Sequence, residues 1–275
     1  MSSPPVQNSS VQDLAVVYRT VTNRVATVVI NRPEARNALN RQVRELLPKV
    51  LTEANDDPDV DVIILTGTDP AFTAGLDLKE LGGGGNQISL SAREVAPAPS
   101  RPFPDLDKPL IGAINGVAIT GGFELALNCD LLIASERAAF ADTHARVGVM
   151  PGWGLTTLLA DAVGVRRARE ISLTGNFVSA RQALDWGLVN HVVAHDDLLP
   201  FTQMLAEDIV GNDQRGVRQM LRTYHQVGES TVGDGWQIEV TEAWKFEKER
   251  AFDPSEVEAR RAAIMDRGRG QVRTT

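Results

Sequence analysis

Cysteine is almost missing from these 275 residues: Cys129 stands alone. That excludes an intrachain disulfide framework and any metal site built from several cysteines. Long apolar runs are missing too, and no stretch approaches the roughly 18 residues needed to span a bilayer. Positive charge is in deficit, with 28 Lys and Arg against 36 Asp and Glu and a formal net charge of −8. Such a balance disfavours non-specific binding to nucleic acid or to an anionic membrane, so a polyanionic ligand would have to be met by a local site. The opening Met1-Ser2-Ser3-Pro4-Pro5 lacks the basic and apolar regions of a signal peptide. A cytoplasmic protein is therefore expected, with residues 1–12 as a disordered lead. Three familiar sites are also lacking: the phosphate loop ending in Gly-Lys-Ser/Thr, His-Glu-x-x-His, and the Gly-x-Ser-x-Gly elbow. Gly152-Trp153-Gly154 only partly mimics a dinucleotide fingerprint, because the third glycine is absent and a proline precedes it.

What is present is enough for a core, at 43% hydrophobic and 23% charged residues. Val16, Tyr18 and Thr20 alternate up to a turn at Thr22-Asn23-Arg24, and Val25 to Ile30 follow, which predicts a β-hairpin. Leu39, Val43, Leu46, Leu47, Val50, Leu51 and Ala54 recur at helical spacing, with Pro48 expected to kink or shorten the helix. Val60 to Thr66 reads as a buried parallel strand, and Leu110 to Ile114 and Leu131 to Ala134 as shorter ones. Between Gly82 and Pro104 four consecutive glycines and four prolines break the pattern, which predicts a surface loop. Beyond Pro151 helices dominate. Ser179 is the expected N-cap of a helix over 180–186 that Gly187 stops. Leu188 to Val193 is expected as a last strand, followed by helices over 201–210, 217–227 and 237–252. A final helix is expected from Pro254-Ser255 to about Met265, and the basic residues Arg267, Arg269 and Arg273 read as a frayed terminus.

Two segments carry chemistry. Ala71-Phe72-Thr73-Ala74-Gly75-Leu76-Asp77 and Ile119-Thr120-Gly121-Gly122-Phe123-Glu124 each place small residues where a strand hands over to a helix. Backbone N–H groups are unpaired at such points, and two converging on one spot can hold a developing oxyanion. Ordinary strand–helix turn chemistry accounts for either segment alone. Both together resemble the two oxyanion-hole motifs of the crotonase superfamily, the enoyl-CoA hydratase/isomerase proteins. Asn31-Arg32-Pro33-Glu34-Ala35-Arg36-Asn37-Ala38-Leu39, Gly148-Val149-Met150-Pro151-Gly152-Trp153-Gly154 and Leu173-Thr174-Gly175 match that family in collinear order, over residues 14 to about 265.

The resemblance implies an α/β fold: a crotonase-like spiral of repeated ββα units over 13–198, with a helical C-terminal oligomerisation region over 199–275. It implies a homotrimer or homohexamer (a dimer of trimers) acting on an acyl-CoA thioester, with no cofactor because coenzyme A belongs to the substrate, and no metal. Carried over by position, the N–H groups of Leu76 and Gly121 hold the thioester oxygen. Arg36, Ala38, Ala74, Asp77 and Lys79 line the substrate path, with Arg36 and Lys79 as the phosphate-side cations. Glu124 matches one hydratase carboxylate; its plainer reading is a helix-start acid favoured by the macrodipole. At the second carboxylate position this chain carries His144, with Asp142 two residues before it. In an extended segment the two would project to one side, where Asp142 could orient the imidazole or replace the missing carboxylate. Hydration of a 2-enoyl-CoA is the expected reaction. Isomerisation, thioester hydrolysis and non-catalytic acyl-CoA binding are the alternatives that His144 leaves open.

Overall fold

A computed structural model of the chain describes residues 15–82 and 101–250, together with Ser255, Glu258, Arg261, Ala262, Met265, Asp266, Arg269 and Gly270. The expected lead at 1–12, most of the 82–104 loop, and Arg267 and Arg273 lie outside the described residues. Phe103, near the end of that loop, is buried in the core.

The chain opens on a hairpin, β1 (Val17–Thr22) and β2 (Val25–Ile30). Asn23 and Arg24, its two turn residues, have φ of 50° and 64°. Two consecutive left-handed residues give the turn a twist that matches paired strands. Helix α1 (Arg41–Asp56) starts where the Asn40 side chain accepts the Val43 N–H at 2.9 Å. It buries Val43, Leu47, Leu51 and Ala54, as the spacing predicts. Pro48 does not shorten it. The helix runs eight residues further, because only the Pro48 N–H is lost and packing of the apolar stripe offsets one missing bond.

Then come β3 (Val62–Gly67), β4 (Ala71–Thr73), α2 (Leu78–Gly82), β5 (Leu110–Ile114), β6 (Val117–Ile119), α3 (Gly121–Leu127), β7 (Leu131–Ser135), β8 (Ala139–Ala141) and α4 (His144–Val147). The helical part follows as α5 (Leu155–Val163), α6 (Val165–Thr174), β9 (Val178–Ser179), α7 (Ala180–Asp185), β10 (His191–Val193), α8 (Leu198–Val210) and α9 (Gln214–Arg250).

The strands form two sheets, one ordered β1-β2-β3-β5-β7-β10 and the other β4-β6-β8-β9. In β3, Val62 and Ile64 face one way, against Leu198 and Ala206 of α8. Ile63 and Leu65 face the other way, into the core that α1, α3, α5 and the small sheet share. This two-sided burial is why β3 reads as a continuous apolar run. The strand expected over 188–193 is only three residues long: Leu188 and Val189 bond back to Ala183 at the end of α7 before β10 begins. At Ser179 the expected cap is present as a full capping box with Gln182.

The helices expected over 217–227 and 237–252 are one helix, α9. Its glycines each weaken a helix interior by about 1 kcal/mol but do not end it, and no proline interrupts it. Arg218 reaches Asp61 and His225 Nε2 meets Asp130 Oδ1 at 3.0 Å, so the first half of α9 is tied to the large sheet. Arg269, expected in a frayed terminus, is helical and paired with Asp266.

Candidate active site

Three parallel strands of the small sheet bring the chemistry together. β4, β6 and β8 lie side by side, and just past each strand comes one functional segment: Ala74–Leu76, Thr120–Glu124 and Asp142–His144.

The first segment is held from the side by residues 36–39. Ala74 N–H donates to the Arg36 carbonyl at 2.9 Å and Leu39 N–H to the Gly75 carbonyl at 2.8 Å. Asn37 is fully buried at a φ of 57°, and its side-chain amide donates to the carbonyls of Thr68 at 2.7 Å and Ala71 at 2.6 Å. Gly75 has a φ of +84°, and a Cβ there would lie 2.4 Å from the Ile119 carbonyl oxygen and 3.4 Å from the Gly121 nitrogen. The turn carrying Leu76 is thus pressed against the start of α3. A Cβ on Gly121 would in turn lie 3.6 Å from the Leu76 and Leu39 side chains and 3.4 Å from the Trp153 ring. Gly75→Ala is expected to cost about 2–5 kcal/mol, from backbone strain plus the clash with Ile119. For a chain of this size, Tm in a thermal melt would fall by roughly 5–15 °C.

Glu124 sits in the first turn of α3 and is buried. Its Oε1 accepts two backbone N–H groups, from Gly152 at 3.1 Å and Trp153 at 2.8 Å. Asn128, one turn along, donates to the Glu124 carbonyl at 2.8 Å and the Trp153 carbonyl at 2.9 Å, fixing that loop to the helix. With Oε1 occupied, Oε2 is directed at His144, whose Nε2 is 3.6 Å away. That gap exceeds a direct hydrogen bond and suits a bridging water.

His144 is buried as the first residue of α4. Its Nδ1 meets Asp142 Oδ1 at 2.6 Å, and its backbone N–H donates to the same oxygen at 3.1 Å. A carboxylate only accepts, so the Asp142 bond puts a proton on Nδ1. The expected contact is therefore present, but not by the expected geometry. Thr143 has φ −105° and ψ 15°, not extended, and Asp142 folds over the helix start as a local side-chain turn. Burial alone would push the His144 imidazole down. The hydrogen bond to Asp142 and the negative charge of Asp142 and Glu124 outweigh it and raise the pKa to about 10. Burial would push Asp142 up, but its bonds to His144 and Ser172 and the imidazolium charge hold it below the usual range.

The site thus sets the His144 imidazole between the side-chain carboxyl groups of Asp142 and Glu124, just past two adjacent strands. A family model for enoyl-CoA hydratase/isomerase matches residues 20–255. The chain belongs to the enoyl-CoA hydratase/isomerase family. A probable peroxisomal enoyl-CoA hydratase 1 of Arabidopsis thaliana is 36% identical over 244 residues, 89% of this chain and 88% of that protein. Among solved structures, an enoyl-CoA hydratase from Mycobacterium avium is similar with a TM-score of 0.79 and 47% identity, covering 86% of this chain and 99% of that one. A carnitinyl-CoA dehydratase from Mycobacterium avium 104 gives a TM-score of 0.75 at 32% identity, over 87% and 94% of the two chains. The architecture is the crotonase fold of that family.

The positions expected to line the substrate path divide in two. Arg36 and Lys79 are exposed on neighbouring segments, joined where Glu80 of α2 accepts the Arg41 N–H at 2.9 Å. Asp77 is already engaged. Arg32 Nη1 and Nη2 each donate to Asp77 Oδ2 at 3.3 Å, and Arg32 Nη1 also reaches the Ala38 carbonyl at 2.6 Å. Sequence reasoning assigned no role to Arg32, Asn37, Asn128, Gly152 or Trp153, which brace the site through backbone atoms. The matched motifs around Asn37 and Gly152 contain all of these but Asn128, and spacing carries no signal of what a backbone carbonyl accepts. His191, His195 and His225 lie outside the matched motifs and join other elements: His195, for one, bridges Ser135 Oγ at 3.0 Å and Asp69 Oδ2 at 2.9 Å.

Proposed function

We propose that the protein hydrates 2-enoyl-CoA thioesters. The observation that carries this reading is the pairing of Glu124 Oε2 with His144 Nε2 across 3.6 Å, beside the Leu76 and Gly121 turns. The attacking water is the one that hydrogen-bonds to both atoms from one side of the pair. Glu124 takes a proton from that water as its oxygen adds to C3 of the acyl chain. The negative charge that moves onto the thioester oxygen is held by the N–H groups of Leu76 and Gly121. C2 then receives the proton on His144 Nε2, and Glu124 passes its proton to His144 to restore the pair. Water enters and 3-hydroxyacyl-CoA leaves, with no electron or metal required.

Support for the base–acid assignment comes from the electrostatics. His144 is an imidazolium at neutral pH and has a proton to give, while Glu124 accepts two backbone N–H bonds and is braced as an anion. Arg36 and Lys79 are the cations suited to the phosphates of coenzyme A, and Ala38, Ala74 and Asp77 belong to the same two adjoining segments. Asp77 acts there through Arg32 rather than through a free carboxylate. Incubation with crotonyl-CoA and longer 2-enoyl-CoAs is expected to remove the enoyl absorbance and yield the 3-hydroxy product. Binding with unchanged absorbance, or release of free thiol, would overturn hydration.

The same reading makes the protein a cytoplasmic homotrimer or pair of trimers. In its favour are the exposed Met220 and Tyr224 one turn apart on α9, and the lack, among the described residues, of a helix long and apolar enough to cross a membrane. Light scattering is expected to give three or six times the chain mass, and a monomer would overturn it.

A further inference from the structure

Two buried hydroxyls outside the reacting pair join its halves. Thr120 directly precedes Gly121, and Thr143 directly precedes His144. Their Oγ1 atoms are hydrogen-bonded to each other, and Thr143 N–H donates to Thr120 Oγ1 at 3.3 Å. Thr120 N–H donates to the Ala141 carbonyl at 2.8 Å, continuing the β6–β8 ladder one residue past its end. Thr120 also has φ 54° and ψ −113°, a conformation that L side chains rarely adopt. A β-branched residue is ill suited to it, and persists only where its surroundings over-determine the backbone. Glycine would take this backbone without strain but would bring no hydroxyl.

We propose that Thr120 and Thr143 are paired positioning residues that lock the Gly121 N–H and the His144 imidazole into one geometry. This rests on the reading of Gly121 as an oxyanion donor and His144 as the acid. Neither hydroxyl touches substrate; each acts through the residue that follows it. The link means that the distance between the carbonyl-holding turn and the proton donor is set by a side-chain bond as well as by strand pairing. A displacement of about 1 Å at such a site lowers rates by up to about a hundredfold.

The test reads one half of the site after changing the other. Thr143→Val removes the hydroxyl from the acid–base side. Butyryl-CoA labelled with ¹³C at its carbonyl has no double bond to hydrate, so its carbonyl stretch reports the oxyanion donors without turnover. In the wild-type protein the bound stretch is expected to fall below its solution value, and in Thr143→Val at least half of that fall should be lost. In the reverse direction, Thr120→Val should shift the ¹⁵N signals of the His144 ring. In both variants kcat for crotonyl-CoA should drop about tenfold to a hundredfold with KM within about threefold. Thr120→Ser and Thr143→Ser keep the hydroxyl pair and should restore wild-type values; Thr143→Ala serves if the valine variant fails to fold. A carbonyl stretch in Thr143→Val or Thr143→Ala equal to that of the wild type would overturn the coupling. If the variants show the cross-effect but the wild-type protein does not hydrate crotonyl-CoA, the hydratase reading is overturned and the coupling stands.

Discussion

Replacing Glu124 with glutamine is expected to lower kcat for enoyl-CoA hydration by about 10³-fold or more, with KM changed only a few-fold. General base catalysis by a placed carboxylate contributes about 10²–10⁴-fold. Here the base also anchors the attacking water and resets the proton on His144, so the loss falls at the upper end. Folding is expected to survive. A glutamine carbonyl in place of Oε1 still accepts from Gly152 and Trp153, and its amide nitrogen replaces only the oxygen facing His144. Because the substitution acts on the transition state rather than on thioester binding, the loss appears in kcat and kcat/KM together. Steady-state kinetics beside a calorimetric affinity for butyryl-CoA checks this. An unchanged kcat would remove Glu124 from the reaction.

Asp142→Asn is expected to be nearly as costly, and its signature is in the pH profile. With the His144 imidazolium as the proposed acid, activity should persist until pH approaches about 10 and fall above it. Asparagine keeps an acceptor oxygen for the His144 Nδ1 but removes the negative charge that opposes burial. The buried ring then favours its neutral form, and the alkaline limb should move down by several pH units. At pH 8 the variant would hold little of the acid form, with kcat reduced about 10²-fold or more. Stability has a related dependence. The folded pKa of His144 lies above the unfolded value of about 6.5, so its stabilising contribution is complete below about pH 6.5 and lost progressively up to about 10. For Asp142 the sign is opposite: its folded pKa is depressed, so its contribution is present above the ordinary carboxylate range and is lost as pH falls through the folded value. Thermal melts across pH should show a stability maximum between these limits, and the variant should show a flatter alkaline slope.

Sequence pattern alone carried the large elements well. The hairpin through Asn23-Arg24, the apolar stripe of α1, β5 and the Ser179 cap all come from periodicity or from turn chemistry that acts over a few residues. The small sheet did not show. β4, β6, β8 and β9 are two or three residues each, too short for an alternation to register. Glu124 and His144 were visible because motifs place them, and Asp142 because it is near in sequence. Its contact with His144 nevertheless forms through a local turn at Thr143 that an extended-strand argument could not supply. Arg32, Asn37 and Asn128 work by reaching distant segments, Arg32 the Asp77 carboxylate, Asn37 the carbonyls of Thr68 and Ala71, and Asn128 the carbonyl of Trp153, and no spacing in the chain encodes that.

The small sheet sets the spacing of the site without regard to side-chain identity. Strands in a ladder stand about 4.8 Å apart, and a slip of one residue turns every side chain to the opposite face. With β4, β6 and β8 paired in parallel, the three functional segments are spaced by backbone hydrogen bonds, which any side chain can satisfy. The residue that opens α4 can therefore exchange one proton carrier for another while the thioester oxygen keeps its place. The scaffold works as a ruler with one interchangeable mark, and in this chain the mark is a histidine.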